Sequence, residues 1–125
     1  KMKRLRKRDL EVDSAHDGLE ALNYLKENSG TEVVILDIKM PNMDGMTALK
    51  EIKSKYPLIE VIMLTGHATV ETGIEGMKMG AFDYLMKPCD MDQLIVKVNE
   101  AAKRKRDQEE KIMEARMQAI TLRRP

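Results

Sequence analysis

Three residues whose side chains can accept or bind a phosphoryl group each follow a short apolar run in this 125-residue sequence. Asp37 follows the run VVIL, Thr65 follows VIML, and Lys87 follows FDYLM. If these runs are strands of one parallel sheet, their carboxyl ends meet at the same edge. A carboxylate at that edge can accept a phosphoryl group, which carries roughly two negative charges. An ammonium and a hydroxyl can bind its oxygens, so the set predicts phosphoryl transfer to Asp37.

The segments that must position these residues alternate between strand-like and helix-like patterns. Unbroken apolar runs predict strands buried on both faces at residues 33–36, 61–64 and 82–86. Helical spacing predicts helices at residues 17–28, 46–55, 69–79 and 90–122, the first of them capped by Asp17. Before these, residues 2–8 are predicted to end an earlier helix, and residues 10–14 to form a half-exposed strand. The order is typical of an α/β protein with a parallel sheet and helices on both faces.

The composition argues against several classes of protein. No apolar run approaches the roughly 18 residues of a membrane span, and the single Cys89 excludes an internal disulfide and suits a reducing compartment. Residues 1–8 carry six basic side chains, but aromatic residues make up only 3% of the chain and offer no base-stacking platform. We therefore expect one cytoplasmic domain that binds neither a membrane nor nucleic acid.

The segments VVILDIKMPNMDGM, VIMLTGHA and GAFDYLMKP resemble the CheY-like receiver domain of two-component response regulators. The resemblance runs from about residue 5 to residue 103. It implies a flavodoxin-like, doubly wound parallel sheet with strand order 2-1-3-4-5. The predicted receiver domain spans residues 1–103, and residues 104–125 are predicted to be a helical extension or linker.

The resemblance also implies roles for the residues at the strand ends. A histidine kinase or a phosphotransfer protein would phosphorylate Asp37, with Mg²⁺ as the cofactor. Lys87 would pair with the phosphoryl group, Thr65 would move toward it, and the switch residue Tyr84 would then turn inward. The Lys87–Pro88 peptide bond would be cis. Such a domain is a regulatory phosphoacceptor and not an enzyme.

The implied metal ligands are Asp37 and the backbone carbonyl of Lys39, and the side chains of Lys39 and His67 would tune the rate of dephosphorylation. A receiver domain also carries an acidic pair, the main side-chain ligands of Mg²⁺, directly after its first and central strand. This sequence begins inside the predicted first helix and shows neither the strand nor the pair. The acids nearest the start of the sequence, Asp9, Glu11, Asp13 and Asp17, are predicted on another strand and helix.

Three explanations for the missing first strand stay open. An N-terminal segment outside the given sequence contributes the strand, a partner contributes it by strand exchange, or the chain is a truncated fragment. A buried apolar side chain stabilises a fold by about 1.5–3 kcal/mol, and a whole domain is stable by only about 5–15 kcal/mol. The chain without a strand at that position is therefore not expected to be stable as a monomer.

The C-terminal helix is predicted to extend beyond the part that packs on the sheet. Residues 103–111 contain no apolar side chain, and helical spacing resumes at Met113, Met117 and Ile120. The basic residues 103–106 can pair with residues 107–110 at i,i+4. Two interpretations stay open: a solvated extension, or a signalling helix that leads to an effector domain or pairs with a second copy. Dimerisation is expected through residues 69–102 or through this helix.

Three functions therefore compete. The leading hypothesis is a phospho-switch module of a response regulator, in which phosphorylation of Asp37 changes the surface offered to a partner or effector. Because the acidic pair is missing, a phosphate-independent interaction domain is the alternative. A phosphotransferase or phosphohydrolase with Asp37 as the nucleophile is the third, but the sequence shows neither a second acid beside Asp37 nor a substrate pocket.

Overall fold

The structure is a computed structural model that describes residues 5–7, 10–12, 15, 17–37, 44–66 and 70–122. Its strands are β1 (Leu5–Lys7), β2 (Leu10–Val12), β3 (Val33–Leu36), β4 (Glu60–Thr65) and β5 (Asp83–Met86). Its helices are α1 (Gly18–Glu27), α2 (Gly45–Lys55), α3 (Val70–Lys78) and α4 (Met91–Leu122). Within these residues, no helix combines the length and the apolar character needed to cross a membrane.

Three parallel strands form the main sheet, in the order β3-β4-β5. Val34 of β3 pairs with Val61 of β4, and Met63 of β4 pairs with Tyr84 of β5, so β4 lies in the centre. A helix connects each strand to the next, because parallel neighbours need a crossover connection. The sheet and the long α4 confirm the predicted α/β fold class.

Helices cover both faces of this sheet. Where α1 and α2 pack on one face, the buried cluster takes side chains from both helices and from β4, namely Leu22, Leu25, Leu49, Ile52, Val61 and Met63. Ile62 is also fully buried, but successive side chains of a strand point to opposite faces. It therefore faces the side on which α4 contacts β4.

The start of the chain differs from the prediction. The helix predicted over residues 2–8 is wrong where the structure describes it, because Leu5–Lys7 is a strand. It pairs antiparallel with Leu10–Val12, so the strand predicted within residues 10–14 is present but lies outside the parallel sheet. The apolar spacing in residues 2–8 covers a single turn, which is too little to nucleate a helix. Antiparallel pairing satisfies the backbone groups of both segments instead.

The predicted burial is also wrong in part. Unbroken apolar runs predict that β3 and β5 are buried on both faces, but Ile35 is 38% exposed and Met86 is more exposed still. Both strands have a neighbour on one side only within the described sheet. The central β4 is buried along nearly its whole length because it is flanked on both sides.

The two lysines among residues 103–106 of α4 form the predicted pairs one helical turn apart. Lys103 Nζ lies 2.8 Å from Asp107 Oδ2, and Lys105 Nζ lies 2.6 Å from Glu109 Oε2. Lys105, however, is buried. This part of α4 is therefore not solvated on all sides, as a free extension would be.

The two arginines of the same stretch bind the sheet. Arg106 donates two hydrogen bonds, of 2.6 and 2.9 Å, to the carboxylate of Glu32, which precedes β3. Arg104 Nε lies 3.3 Å from Glu60 Oε2 at the start of β4, and Lys53 Nζ of α2 lies 3.8 Å from Oε1 of the same carboxylate. The Glu60 side chain is only 4% exposed. These contacts anchor α4 at the end of the sheet opposite to Asp37.

The Glu32–Arg106 pair predicts a pH-dependent contribution to stability. The hydrogen bonds from Arg106 outweigh partial burial and hold the pKa of the Glu32 carboxyl below its ordinary value. A lowered pKa in the folded state contributes stability above the unfolded value of about 4.3, and this is lost as the pH falls through the folded pKa. A double-mutant cycle of Glu32→Gln and Arg106→Gln should give a coupling of about 0.5–1 kcal/mol at pH 7.

The coupling should shrink as the pH falls below the unfolded value of about 4.3 and through the lower folded pKa, because the carboxylate then becomes protonated. Urea unfolding of the four proteins of the cycle at each pH measures it. A coupling that stays constant or grows on acidification would contradict this prediction.

Candidate functional site

The three candidate residues lie at the carboxyl ends of the three parallel strands. Asp37 directly follows β3, Thr65 is the last residue of β4, and Lys87 directly follows β5. The strands are adjacent, and the pairing of Thr65 with Met86 closes the ladder one residue before Lys87. The structure therefore brings the acid, the hydroxyl and the amine to one edge of the sheet, where open α/β sheets bind ligands.

Asp37 and Lys87 are in direct contact across 50 residues of sequence. Lys87 Nζ donates a hydrogen bond of 2.6 Å to Asp37 Oδ2. The side chains stay 35% and 47% exposed for the acid and the amine respectively. The carboxylate can thus be reached from solvent, and a cation is already in place beside it. That arrangement suits a reaction that adds negative charge to the acid.

The backbone of Thr65, at the end of β4, forms a hydrogen bond with the backbone of Lys87. The N–H of Lys87 donates a 2.8 Å hydrogen bond to the carbonyl oxygen of Thr65, while the Thr65 side chain is buried. The Lys87–Pro88 peptide bond is cis, as the family resemblance implies. Backbone pairing between β4 and β5 therefore places the backbone of Lys87 at this edge of the sheet.

Tyr84 lies on β5, three residues before Lys87, and is partly buried against the core. Its hydroxyl oxygen lies 2.6 Å from Oγ1 of Thr72 on α3. The ring packs against Gly73 of the same helix. The predicted switch residue therefore contacts α3, and both the hydroxyl and the ring take part in that contact.

Other predicted site residues fall outside the described part of the chain. These are Lys39 and His67, and among the upstream acids Asp9 and Asp13. The upstream acid Asp17 is the predicted helix cap: its carboxylate accepts a 2.8 Å hydrogen bond from the Glu20 N–H.

The family resemblance implies a magnesium ion at this site, and the ion fits only if enough oxygen ligands surround it. Within the described residues, no group of three or more His, Cys, Asp and Glu side chains could hold a metal ion. Mg²⁺ requires near-octahedral oxygen coordination and is commonly bound by one or two carboxylates together with phosphate oxygens and waters. Asp37 can supply one such carboxylate. The described side chains alone are therefore an incomplete fit for the ion.

Two contacts near the site were not predicted from the sequence. Thr72 was treated as part of a helical pattern, and the pairing of its hydroxyl with Tyr84 had no sequence signal. Gly73 did carry a signal, since a glycine in the interior of a helix weakens it and often has a packing reason. The structure supplies that reason, because a Cβ at residue 73 would lie only 3.1 Å from the Tyr84 ring.

Comparison with known proteins identifies the family of this chain. The family model described as the response regulator receiver domain matches residues 2–99. The regulatory protein AtoC of Escherichia coli (strain K12) is 44% identical over 91 residues, which cover 73% of this chain and 20% of AtoC. The chain thus spans about a fifth of the length of the curated relatives it matches.

Two solved structures show the same fold. A response regulator receiver domain protein from Clostridium thermocellum superposes with a TM-score of 0.69 at 43% identity, covering 74% of each chain. The CheX–CheY–BeF3–Mg complex from Borrelia burgdorferi matches with a TM-score of 0.63 at 31% identity, covering 66% of this chain and 62% of that one. Given the extent of the family match, the chain belongs to the response regulator receiver domains, the regulatory modules of two-component signalling.

Proposed function

We propose that Asp37 is the phosphoacceptor of this receiver domain and that Lys87, Thr65 and Tyr84 respond to its phosphorylation. The observation that carries this proposal is the 2.6 Å contact between Lys87 Nζ and Asp37 Oδ2 at the carboxyl edge of the sheet. A phosphoacceptor must be reachable by its donor, and Asp37 is partly exposed. It also needs a cation close enough to counter the charge of the product, and Lys87 meets that need.

In the proposed reaction, a carboxylate oxygen of Asp37 attacks the phosphorus of a phosphohistidine on a histidine kinase or phosphotransfer protein. The new O–P bond forms as the P–N bond breaks, and the imidazole nitrogen keeps the electron pair and takes up a proton. The acyl phosphate carries about two negative charges. Lys87 binds one phosphoryl oxygen, and the Thr65 hydroxyl donates to another after the end of β4 shifts.

Mg²⁺ is the cofactor that we propose for this reaction. Asp37 and the backbone carbonyl of Lys39 would hold it, together with phosphoryl oxygens and waters, and it would neutralise charge on the transferring group. The side chains of Lys39 and His67 are proposed to tune dephosphorylation. Because the described donor set is incomplete, we assign no step of the reaction to the ion.

The same incomplete donor set favours a second candidate, a phosphate-independent interaction domain. In that case Asp37 and Lys87 would form a structural ion pair, and a partner would bind whether or not Asp37 can be modified. The two candidates differ in whether partner binding depends on the Asp37 carboxylate.

The remaining proposals concern partners and organisation. The receiver domain is proposed to occupy residues 1–103 and to act in the cytoplasm, with residues 104–125 leading to an effector. A second copy is proposed to pack either on residues 69–102 or on the end of α4. Exposed apolar side chains support both surfaces: Ile74, Met77, Met91 and Val96 on the first, and Met113, Met117 and Ile120 on the second. Sedimentation of the protein before and after phosphorylation, with glutamate placed in either set, distinguishes them.

Phosphorylation of the intact protein tests the proposal. Acetyl phosphate with Mg²⁺ should add the mass of one phosphoryl group to the unchanged protein and none to the Asp37→Asn protein. Asp107→Asn is the matched control, because Asp107 also pairs with a lysine, Lys103, at 2.8 Å but lies on α4 away from the sheet edge. That control should be modified like the unchanged protein.

Chelation of Mg²⁺ should abolish the mass increase if the ion is the cofactor. A mass increase that persists in Asp37→Asn, or that never appears in the unchanged protein, contradicts the assignment of Asp37. An Asp37→Asn protein that still binds the natural partner as tightly as the phosphorylated protein supports the interaction domain instead.

A further inference from the structure

The Tyr84 ring packs over Gly73 of α3 so closely that a side chain at residue 73 would crowd it. A Cβ added at Gly73 would lie 3.1 Å from Cδ2 and 3.2 Å from Cε2 of the Tyr84 ring. Carbon atoms in favourable contact are about 3.5–4.0 Å apart. A side chain at position 73 would therefore fit only if the Tyr84 ring shifted by a few tenths of an ångström.

The hydroxyl group of the same side chain makes its own contact with the residue before Gly73. Tyr84 Oη and Thr72 Oγ1 are 2.6 Å apart, a hydrogen-bond distance in which either oxygen can be the donor. The adjacent residues Thr72 and Gly73 thus hold the two ends of the aromatic side chain. We call this pair the tyrosine seat.

A second glycine on α3 provides the contrast. At Gly76 an added Cβ would lie 3.8 Å from Met63 Cγ and 3.9 Å from the Tyr84 ring. These are ordinary contact distances, so alanine fits there without moving the ring. Both glycines weaken the helix to a similar degree, but only Gly73 has a steric reason to lack a side chain.

The seat lies between the candidate site and an exposed surface. Tyr84 is three residues before Lys87, whose amine binds Asp37. The helix that holds the ring also exposes Ile74 and Met77 to solvent. A change in the position of the ring therefore affects both the strand that carries Lys87 and the helix that carries this apolar surface.

We infer that Thr72 and Gly73 are positioning residues that hold Tyr84 in its resting place and so set how readily the site at Asp37 changes state. The inference rests on the proposed function, in which a phosphoryl group draws Thr65 toward Asp37 and the Tyr84 ring follows. The ring can follow only by leaving the seat. A ligand shifts such an equilibrium by its preference for one state, so a weaker seat raises the apparent affinity for the phosphoryl group.

Three substitutions test the seat in the intact protein. Thr72→Val keeps the side-chain shape and removes the hydroxyl, and Gly73→Ala places a methyl group in tight contact with the ring, about 3.1 Å from Cδ2. Gly76→Ala is the matched control, with the same gain in helix propensity and no clash. Titration with beryllofluoride and Mg²⁺, as a mimic of the phosphoryl group, should show about fivefold tighter binding for Thr72→Val, the net effect of one hydrogen bond. Gly73→Ala should also bind more tightly than the unchanged protein, because its methyl group crowds the ring in the seat. The control should bind like the unchanged protein.

A second measurement follows the position of the Tyr84 ring in protein to which no phosphoryl mimic has been added. In protein carrying ¹³C-labelled tyrosine, the ring signals of Tyr84 without beryllofluoride should move toward those of the beryllofluoride-bound unchanged protein in both seat variants and not in Gly76→Ala. Thermal unfolding of each variant shows whether the fold is retained.

Different results would overturn the inference about the seat and the proposed function of Asp37. If the unchanged protein binds beryllofluoride and the seat variants bind it no more tightly, the inference is overturned while the proposed function stands. Ring signals that stay at their original positions in both seat variants overturn it as well. If the unchanged protein binds no beryllofluoride at all, the proposed function fails, and the coupling inferred from it fails too.

Discussion

The Lys87→Met protein should take up a phosphoryl group from acetyl phosphate about 100-fold more slowly than the unchanged protein. Methionine keeps most of the length and volume of the side chain and removes the charge. Loss of one preorganised donor from an enzyme site typically slows the reaction about 10²–10³-fold. We take the lower end of that range because Asp37 and Lys87 are partly exposed, and solvent screens their interaction.

Whether Lys87 accelerates or slows phosphoryl transfer depends on how the charge at Asp37 changes during the reaction. In the resting site Lys87 faces one carboxylate charge, and after transfer it faces a group with about two. Its attraction therefore grows as the phosphoryl group arrives, and only interactions that strengthen toward the transition state accelerate a reaction. Pairing with the resting carboxylate works in the opposite direction, but it involves the smaller charge.

The rate is measured by intact mass at successive times after addition of acetyl phosphate and Mg²⁺. Lys103→Met is the control, because Lys103 forms a similar pair with Asp107, at 2.8 Å, elsewhere on the surface. The control should keep the unchanged rate. A Lys87→Met rate within about twofold of the unchanged rate, far short of the loss expected for a preorganised donor, would show that Lys87 takes no part in the transfer.

The second large effect lies at the opposite end of the sheet, where Glu60 is buried between two cations. Removing both cations with Lys53→Met and Arg104→Met should destabilise the domain by about 3–5 kcal/mol, because the carboxylate would be left without a countercharge. The Glu60 side chain is only 4% exposed, so water cannot replace the lost partners. A loss of this size is a large part of a total stability of about 5–15 kcal/mol.

Neutralising the acid should reverse most of that loss. With Glu60→Gln added to the double variant, the buried group carries no charge and the main penalty disappears. Some loss should remain, because Lys53 Nζ also donates hydrogen bonds to the carbonyl oxygens of Pro57 and Ile59, at 2.8 and 3.1 Å. Each such bond contributes about 0.5–1.5 kcal/mol.

Urea unfolding at pH 7 measures these differences. Lys55→Met serves as the surface control, because Lys55 pairs with Glu51 in the exposed i,i+4 geometry and should cost below about 0.5 kcal/mol. A double variant that loses less than about 1 kcal/mol, the usual worth of a surface pair, would show that Glu60 does not depend on these cations. Failure of Glu60→Gln to restore stability would show that the loss has another cause.

Local patterns predicted most of the elements. The apolar run at residues 61–64 and the helical stripe from Met46 to Ile52 reappear as β4 and α2 because periodicity is a property of one segment. Burial was predicted less well. Ile35 lies in a run as apolar as that of β4, yet it is exposed, because burial depends on which neighbours an element has and not on its own composition.

The short β1 strand shows the same limit at the level of pairing. Residues 5–7 have a weak helical pattern, but they pair with Leu10–Val12. The charged stretch at residues 103–106 was expected to pair within its own helix. Two of its four residues bind acids at the start of the sheet instead, and nothing in the helix itself indicates those distant partners.

The sequence by itself determined which chemical groups stand at the strand ends. An acid, a hydroxyl and an amine directly follow or end their apolar runs, and parallel strands place such residues at one edge. Only the tertiary structure decided that Lys87 contacts Asp37 at 2.6 Å, that Tyr84 lies against Gly73, and that α4 is anchored through Glu60. Each of these contacts joins residues from different elements. Their geometry depends on how the elements pack, which the periodicity of a single segment does not encode.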